Sequence, residues 1–264
     1  MLVDYHIHTE HSDDSVVPIK SYIKRALELG FEELCFTNHI DYEVPDNASC
    51  DVKQYKKDFD EAKKEYEGKI RLKFGMEFGM QVHTIDKFQK TFDENDFDFI
   101  ILSCHALDNL GFWNGGFQEG KTQKEFNERY YNEILNVIKK YKDYSILGHL
   151  DVIRRYDKTY YPFEKVKDII AEILKIVIAD GKGIEVNTSS FRYKIPDFMP
   201  SENILKLYKD LGGEIITVGS DSHDILHLGS NFDKAREELI KLGYKHFYTF
   251  DKMKPIVHDL KDGV

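Results

Sequence analysis

The sequence alternates short apolar runs with longer segments whose apolar residues recur at helical spacing. The short runs, rich in β-branched or aromatic residues, predict strands at 2–6, 33–38, 70–76, 97–103, 144–148, 183–187, 214–219 and, as an eighth candidate, 246–250. The longer segments predict helices over 18–29 and 122–141, and near 52–66, 163–179, 201–211 and 231–242. This alternation is typical of a parallel sheet flanked by helices, either closed into a barrel or open and doubly wound.

The polar residues at the strand ends distinguish these two architectures. An open sheet gathers its site at one crevice, whereas a barrel draws residues from the carboxyl ends of nearly all its strands. Metal-ligand residue types follow most of the predicted strands: His6, His8, His39, Glu77, His105, His149, Asp221 and His223. We therefore predict a TIM-like α/β barrel. No Pro/Gly/Ser-rich linker or shift of composition divides the chain, so residues 1–264 are expected to form a single domain.

Composition narrows the classes of function. The chain is 41% hydrophobic, enough for a substantial core, and its formal net charge of -10 without a basic stripe disfavours binding to nucleic acid. We expect a cytoplasmic protein, since neither a secretory leader nor an apolar run long enough to span a membrane is evident. The 3 cysteines are an odd number without CxxC spacing, which disfavours a disulfide framework or a thiolate zinc site.

The strand-end residues are numerous enough to hold more than one metal ion. In a barrel they converge on one mouth, and Asp14 in the loop after the first strand is a further candidate. A catalytic zinc ion uses about three protein ligands, so the set fits two or three ions that share bridging groups. Alternate residues of a strand point to the same side, so His6 and His8 can reach one ion. Any single one of these histidines has an ordinary alternative as a hydrogen-bonded polar residue.

The order and spacing of the motifs carry a family resemblance. The motifs are HIH at 6–8, TNH at 37–39, GMEFG at 75–79, SCH at 103–105, GHLD at 148–151, EVNTSSFR at 185–192 and GSDSH at 219–223. Together they resemble the polymerase and histidinol phosphatase (PHP) superfamily, and within it the stand-alone histidinol-phosphate phosphatases. The resemblance runs through nearly the whole chain and is more specific to the superfamily than to the substrate. It implies a distorted (β/α)7 barrel with three divalent metal ions, which are zinc, manganese or iron.

The resemblance also implies a division of the ligands among three ions. One ion is expected on His6, His8, Glu77 and Asp221, a second on Glu77, His105 and His149, and a third on Asp14, His39 and His223. Many superfamily members carry histidine where this chain has Asp14, and a carboxylate there favours harder ions. Asp14, Glu77 and Asp221 are the residues expected to act in catalysis, whereas Asp4 and Asp13 are expected to be structural or solvated.

Substrate contacts are expected from two arginines and one long loop. Arg155 and Arg192 match positions where the family places phosphate-binding arginines, and a guanidinium fork can hold two phosphate oxygens at once. In the loop after His105, Trp113 or Phe117 is a candidate to stack on the substrate and Glu119 to pair with its ammonium group. A solvated excursion remains an equal alternative for this loop. His11 and His227 are left as undecided neighbours of the site.

The function implied by the resemblance is hydrolysis of L-histidinol phosphate in histidine biosynthesis, by attack of a metal-activated hydroxide on phosphorus. Asp14 or a nearby histidine is the candidate proton donor to the leaving alkoxide. One alternative keeps the metals but takes nucleotides or oligonucleotides as substrates. Another is a metal-binding protein without turnover. The expected partner is a small phosphorylated metabolite, with no nucleic acid and no membrane, and the oligomeric state stays open.

Overall fold

The structure is a computed structural model that describes residues 1–45, 49–157 and 159–264. Its strands are β1 (Val3–Asp4), β2 (Glu33–Phe36), β3 (His39–Ile40), β4 (Arg71–Gly79), β5 (Phe99–Ser103), β6 (Ala106–Leu107), β7 (Leu110–Gly111), β8 (Ile146–Leu147), β9 (Gly183–Asn187), β10 (Ile216–Gly219), β11 (His246–Asp251) and β12 (Lys254–Asp259). Its α-helices are α1 (Ile19–Leu29), α2 (Val52–Glu65), α3 (Ile85–Asp93), α4 (Gln123–Lys140), α5 (Lys167–Ala179), α6 (Glu202–Asp210) and α7 (Phe232–Lys241).

The main sheet is parallel and curls into a barrel. Its strands follow the order β1-β2-β4-β5-β8-β9-β10, with β3 paired to the end of β4. The ring is completed where Ile7 and Ser222 form a parallel bridge: His8 N–H donates to Ser222 O at 2.8 Å and Ser222 N–H donates to His6 O at 3.2 Å. The predicted distorted barrel of seven strands is thereby confirmed.

Local sequence explains where the helices begin and end. α1 follows Pro18 and ends at Gly30, whose φ of 80° provides the left-handed C-cap. α4 begins with a capping box, in which Glu125 N–H donates to Thr122 Oγ1 at 3.3 Å and Thr122 N–H donates to the Glu125 carboxylate at 2.7 Å. The six predicted helices are all present, with bounds within a few residues of those expected.

The eighth candidate strand is real but lies outside the barrel. It is β11, which pairs antiparallel with β12 through a two-residue turn. Both turn residues, Lys252 and Met253, have positive φ (48° and 64°), as in a type I′ turn. The turn lacks the Asn-Gly or Asp-Gly sequence that marks such hairpins, so the hairpin was not predicted. The short helix α3 and the β6–β7 hairpin were also missed.

This hairpin covers the amino-terminal end of the barrel. The ring of Phe250 lies 5.0 Å from that of Phe99, and the Phe250 N–H donates to Tyr5 Oη at 2.8 Å. Tyr5 Oη in turn donates to Glu33 Oε1 at 2.5 Å. Tyr5 therefore joins the hairpin to the first two strands, far from the mouth at the opposite end. No helix in the described ranges is long and apolar enough to cross a bilayer.

Tyr5→Phe is expected to lower the free energy of unfolding by about 1–3 kcal/mol, because it leaves the buried Phe250 N–H without its acceptor. Tyr141→Phe is the matched control, since the buried Tyr141 hydroxyl has no hydrogen-bond partner within the described part of the chain. Its removal should leave stability unchanged or slightly raised. Urea unfolding of both variants, freed of metal, makes the comparison; equal losses in the two would contradict this account of Tyr5.

Candidate metal centre

The carboxyl ends of the barrel strands surround a cavity of about 540 Å³. Eight of the nine predicted metal ligands line it: His8, Asp14, His39, Glu77, His105, His149, Asp221 and His223. The ninth, His6, lies behind them and is fully buried. The structure therefore brings together, at one mouth, side chains separated by more than two hundred residues of sequence.

Glu77 stands at the centre of this cluster. Its Oε2 lies 3.2 Å from His6 Nε2 and 3.4 Å from His8 Nε2. Its Oε1 lies 3.2 Å from His105 Nε2 and 2.9 Å from His149 Nε2. Each oxygen thus faces a different pair of imidazoles, so Glu77 could contribute a carboxylate oxygen to a metal held by either pair.

The distances around His6 and His8 fit a tetrahedral ion. Asp221 Oδ1 lies 3.7 Å from His6 Nε2 and 3.4 Å from His8 Nε2. Ligand atoms placed about 2.0–2.1 Å from a tetrahedral zinc ion are roughly 3.3 Å from one another. Both Nε2 atoms are buried and make no hydrogen bond with the described residues. Two orphaned imidazole nitrogens facing two carboxylates are the donor set expected for a divalent metal.

A further group forms around Asp14. Its Oδ1 lies 3.2 Å from His39 Nε2 and its Oδ2 lies 2.9 Å from His223 Nε2, and the ring of His8 stacks on His223 at 4.0 Å. Asp13, expected to be structural or solvated, instead lines the cavity with its Oδ1 3.2 Å from His39 Nε2. The sequence places the two aspartates side by side and could not say which of them faces the metal centre.

Protonation in this cluster follows from burial and neighbouring charge. Burial and the nearby His223 lower the pKa of His8 to about 3, so His8 is neutral, as a metal ligand must be. Burial opposes ionisation of Glu77, but His6 and His105 outweigh it and hold the pKa of Glu77 well below its ordinary range. Burial likewise opposes the charge on His105, yet Asp41 and Glu77 raise its pKa to about 10. A metal held by His105 would therefore have to displace a proton from this imidazole.

Two buried carboxylates behind the ligands escaped the sequence analysis. Glu185 Oε1 lies 2.6 Å from His6 Nδ1, and Glu185 Oε2 accepts the His149 N–H at 2.9 Å. Asp41 contacts the Nδ1 atoms of both His39 and His105, at 3.0 and 2.9 Å. Asp41 follows His39 at the alternate spacing that was noted for His6 and His8, and that signal could have identified it.

The two predicted arginines both line the cavity. Arg155 Nη2 donates to Ser189 Oγ at 2.9 Å and lies 3.5 Å from Asp221 Oδ2, while its guanidinium stacks 3.8 Å from the centre of the Tyr193 ring. Arg192 donates to two backbone carbonyls, of Ser220 at 2.9 Å and of Asp221 at 2.6 Å. Arg192 thus supports the backbone of Asp221, a non-glycine residue with a φ of 52°.

The loop after His105 supplies fewer contacts than expected. Trp113 lines the cavity and is 46% exposed. Phe117 is instead buried, with its ring 5.2 Å from that of Phe112, and Glu119 is exposed and outside the residues that line the cavity. Phe112, which was not singled out, takes a place in the lining.

His11 and His227, whose roles the sequence left open, differ in whether they line the cavity. His227 lines the cavity, and burial together with Arg192 lowers its pKa. His11 packs its ring 5.4 Å from that of Tyr55, with its Nε2 3.3 Å from Asp58 Oδ2, and is not in the lining.

Comparison with known proteins agrees with this geometry. The model of the PHP domain family matches residues 4–189. The chain belongs to the PHP domain family. A histidinol-phosphatase of Lactococcus lactis is 31% identical to it over 258 residues, which cover 96% of this chain and 95% of the relative. The membership predicted from the motifs is confirmed.

Two solved structures of similar proteins share the fold. The crystal structure of histidinol phosphate phosphatase from Lactococcus lactis, complexed with zinc, L-histidinol and phosphate, superposes with a TM-score of 0.86 at 30% identity and covers 97% of this chain and 98% of its own. A putative histidinol phosphatase from Listeria monocytogenes superposes with a TM-score of 0.75 at 21% identity, covering 88% of this chain and 99% of its own. The second likeness supports the fold alone.

Glu77→Gln is expected to lower the metal-to-protein ratio by at least one equivalent. A carboxylate can offer an anionic oxygen to a metal at each of its two imidazole pairs, whereas an amide has one neutral oxygen and an NH₂ group. Glu33→Gln is the control, a buried carboxylate at the amino-terminal end of the barrel, and should keep the wild-type ratio. Elemental analysis after exhaustive dialysis measures both. An unchanged ratio in Glu77→Gln would show that Glu77 does not bridge metals.

Proposed function

We propose that this protein is a metal-dependent phosphomonoesterase that hydrolyses L-histidinol phosphate to L-histidinol and phosphate. The observation that carries the proposal is the juxtaposition, in one cavity, of the Glu77-centred cluster with Arg155 and Arg192. Metal ligands beside guanidinium groups match the anionic phosphate of a monoester. The Lactococcus lactis relatives, named for this substrate and found with its two products, support the choice.

The proposed metal set is three divalent ions of zinc, manganese or iron. The first group comprises His6, His8, Glu77 and Asp221, the second Glu77, His105 and His149, and the third Asp14, His39 and His223, with His8 close to the third. When bound, such ions supply the hydrolytic nucleophile and Lewis-acid stabilisation of the phosphoryl oxygens. Burial opposes ionisation of Asp14, but His223 and His39 hold its pKa well below the ordinary range. We propose Asp14 as a ligand of the third ion, and protonation of the leaving alkoxide by Asp14 or a nearby histidine stays a prediction.

Arg155 is the residue best prepared to bind phosphate. Tyr193 stacks on its guanidinium and Ser189 holds Nη2, so the orientation of the fork is set before substrate arrives. Its Nε is buried without a hydrogen-bond partner among the described residues, and so it is free to donate to a phosphate oxygen. Arg192 donates two N–H groups to backbone carbonyls and lines the cavity, and we propose that its remaining N–H groups bind the substrate phosphate.

The rest of the cavity suits a small, flat organic group. Its wall includes Phe112, Trp113, Val152, Tyr156 and Tyr193, which together offer apolar and aromatic surface beside the metal cluster. An imidazole ring on a short aliphatic stem fits such a wall, because a planar ring stacks on aromatic faces. Glu119 has no part in this proposal, since it lies outside the lining.

Purified protein loaded with zinc or manganese is expected to release phosphate from L-histidinol phosphate at least 100-fold faster than from 3′-phosphonucleotides, and to leave single-stranded DNA intact. Removal of metal by a chelator should abolish turnover, and re-addition should restore it. Phosphate release across this panel is the measurement. A preference for nucleotides would favour the nucleotide phosphoesterase, and metal uptake with no turnover of any substrate would favour the metal-binding protein.

Arg155→Lys is expected to lower kcat/KM for L-histidinol phosphate roughly 10- to 100-fold, because hydrogen bonds to charged groups contribute about 1.5–3 kcal/mol and lysine lacks the planar fork. Arg154→Lys is the control at the neighbouring position. Arg154 Nη1 pairs with Asp151 Oδ2 at 2.8 Å and does not line the cavity, so the change should alter kcat/KM less than about threefold. Similar losses in the two variants would remove Arg155 from the phosphate site.

A further inference from the structure

Asp41 is a buried carboxylate whose described partners are two imidazoles. It is 2% exposed and follows β3 directly. Its Oδ1 is hydrogen-bonded to His105 Nδ1 at 2.9 Å. Its Oδ2 lies 3.0 Å from His39 Nδ1 as an ion-pair contact, and the angles at this second contact fall outside those of a hydrogen bond. Among the described residues no backbone N–H and no cationic side chain of lysine or arginine contacts these oxygens. Burial of a charge that serves only the fold is costly, so this placement points to a role at the site.

The two imidazoles belong to different groups of candidate ligands. His105 groups with Glu77 and His149, whereas His39 groups with Asp14 and His223, close to which His8 also lies. Both present Nε2 to the metal cluster and Nδ1 to Asp41, so one carboxylate stands behind two separate groups.

The neighbouring strand is shaped to admit this carboxylate. A Cβ atom at Gly79 of β4 would lie 1.8 Å from Asp41 Oδ1 and 2.8 Å from His105 Nδ1. Any side chain at position 79 would therefore displace the contact between Asp41 and His105. Gly79 has no positive φ, so close approach is the reason for glycine here.

We infer that Asp41 is a positioning residue that holds His39 and His105 with the proton on Nδ1 and thereby couples the metal group of His105 to that of His39. The inference rests on the metal sites of the proposed function. A carboxylate that accepts the Nδ1 proton leaves the Nε2 lone pair free for a metal and makes that nitrogen a stronger ligand. Because both imidazoles share one carboxylate, its loss must weaken two groups together.

The first group of ligands, that of His6 and His8, does not depend on Asp41. His6 Nδ1 lies 2.6 Å from Glu185 Oε1, and His8 Nδ1 lies 3.1 Å from Ser12 Oγ. Loss of Asp41 should therefore spare the group of His6, His8, Glu77 and Asp221. Loss of metal from two groups but not from the other would distinguish a positioning role of Asp41 from a general loss of protein stability.

Asp41→Asn is the first test. The amide oxygen can accept a hydrogen bond from only one of the two imidazoles, and the amide NH₂ group then faces the Nδ1 proton of the other. Zinc titration of the metal-depleted protein against a competing chromophoric chelator should show affinity about 10- to 100-fold weaker at two groups, with at least one tight zinc ion retained. Asp98→Asn is the matched control: Asp98 is buried but accepts backbone N–H groups, of Phe74 at 2.9 Å and Lys252 at 3.2 Å. It should lower stability and keep wild-type zinc affinities.

Wild-type zinc binding in Asp41→Asn, or an equal loss of zinc in Asp98→Asn, would overturn the inference. If Asp41→Asn does not fold, long-range proton–nitrogen spectra of the histidine rings in the zinc-loaded wild type decide it. They should place a slowly exchanging proton on Nδ1 of both His39 and His105, and a deprotonated Nδ1 in either ring would refute the assignment. Neither measurement uses substrate, so failure to hydrolyse L-histidinol phosphate would remove the proposed function and leave this inference standing.

Discussion

The parallel bridge between Ile7 and Ser222 is the contact on which the site depends. It joins the end of the first barrel strand to the end of the last and completes the ring with two backbone hydrogen bonds. Because side chains alternate along a strand, the same bridge directs His6 and His8 toward Asp221. Together with the hydrogen bond from Tyr5 N–H to Val218 O at 3.2 Å, it brings the two ends of the sequence to one cluster, where the four atoms that fit a tetrahedral ion meet.

The mouth of the barrel concentrates buried charge that the fold alone would not tolerate. Glu77, Asp41 and Asp221 are almost fully buried, and each is compensated by imidazoles instead of by lysine or arginine alone. Replacing such groups by apolar side chains often leaves a protein as stable or more so. Their presence therefore indicates a role in the function of the site. The imidazole Nε2 atoms face the centre of the cluster, while most of the Nδ1 atoms contact side chains or backbone on its outer side.

Most of the architecture could be read from local patterns. Six helices and the seven barrel strands follow from apolar periodicity and from punctuation such as Pro18 and Gly30. The exceptions have local causes. The pattern of β11 is that of any half-buried strand, and its turn through Lys252 and Met253 lacks the residues that usually mark positive φ. For the site, residue type and strand-end position nominated eight of the nine candidate ligands, and Asp14 was a further candidate from the loop after the first strand. Asp13 was expected to be structural or solvated, and Asp41 and Glu185 were not nominated.

The sequence by itself determined the barrel class and the candidate ligands, because these depend on periodicity along the chain and on which residues follow each strand. The family came from the resemblance of its motifs in their order along the chain. Only the tertiary structure decided how those residues are used. The sharing of Asp41 between two imidazoles, the placement of Glu185 behind His6 and the exclusion of Glu119 from the cavity depend on distances between segments far apart in sequence. Such distances are set by barrel closure and by side-chain direction, which no local pattern encodes.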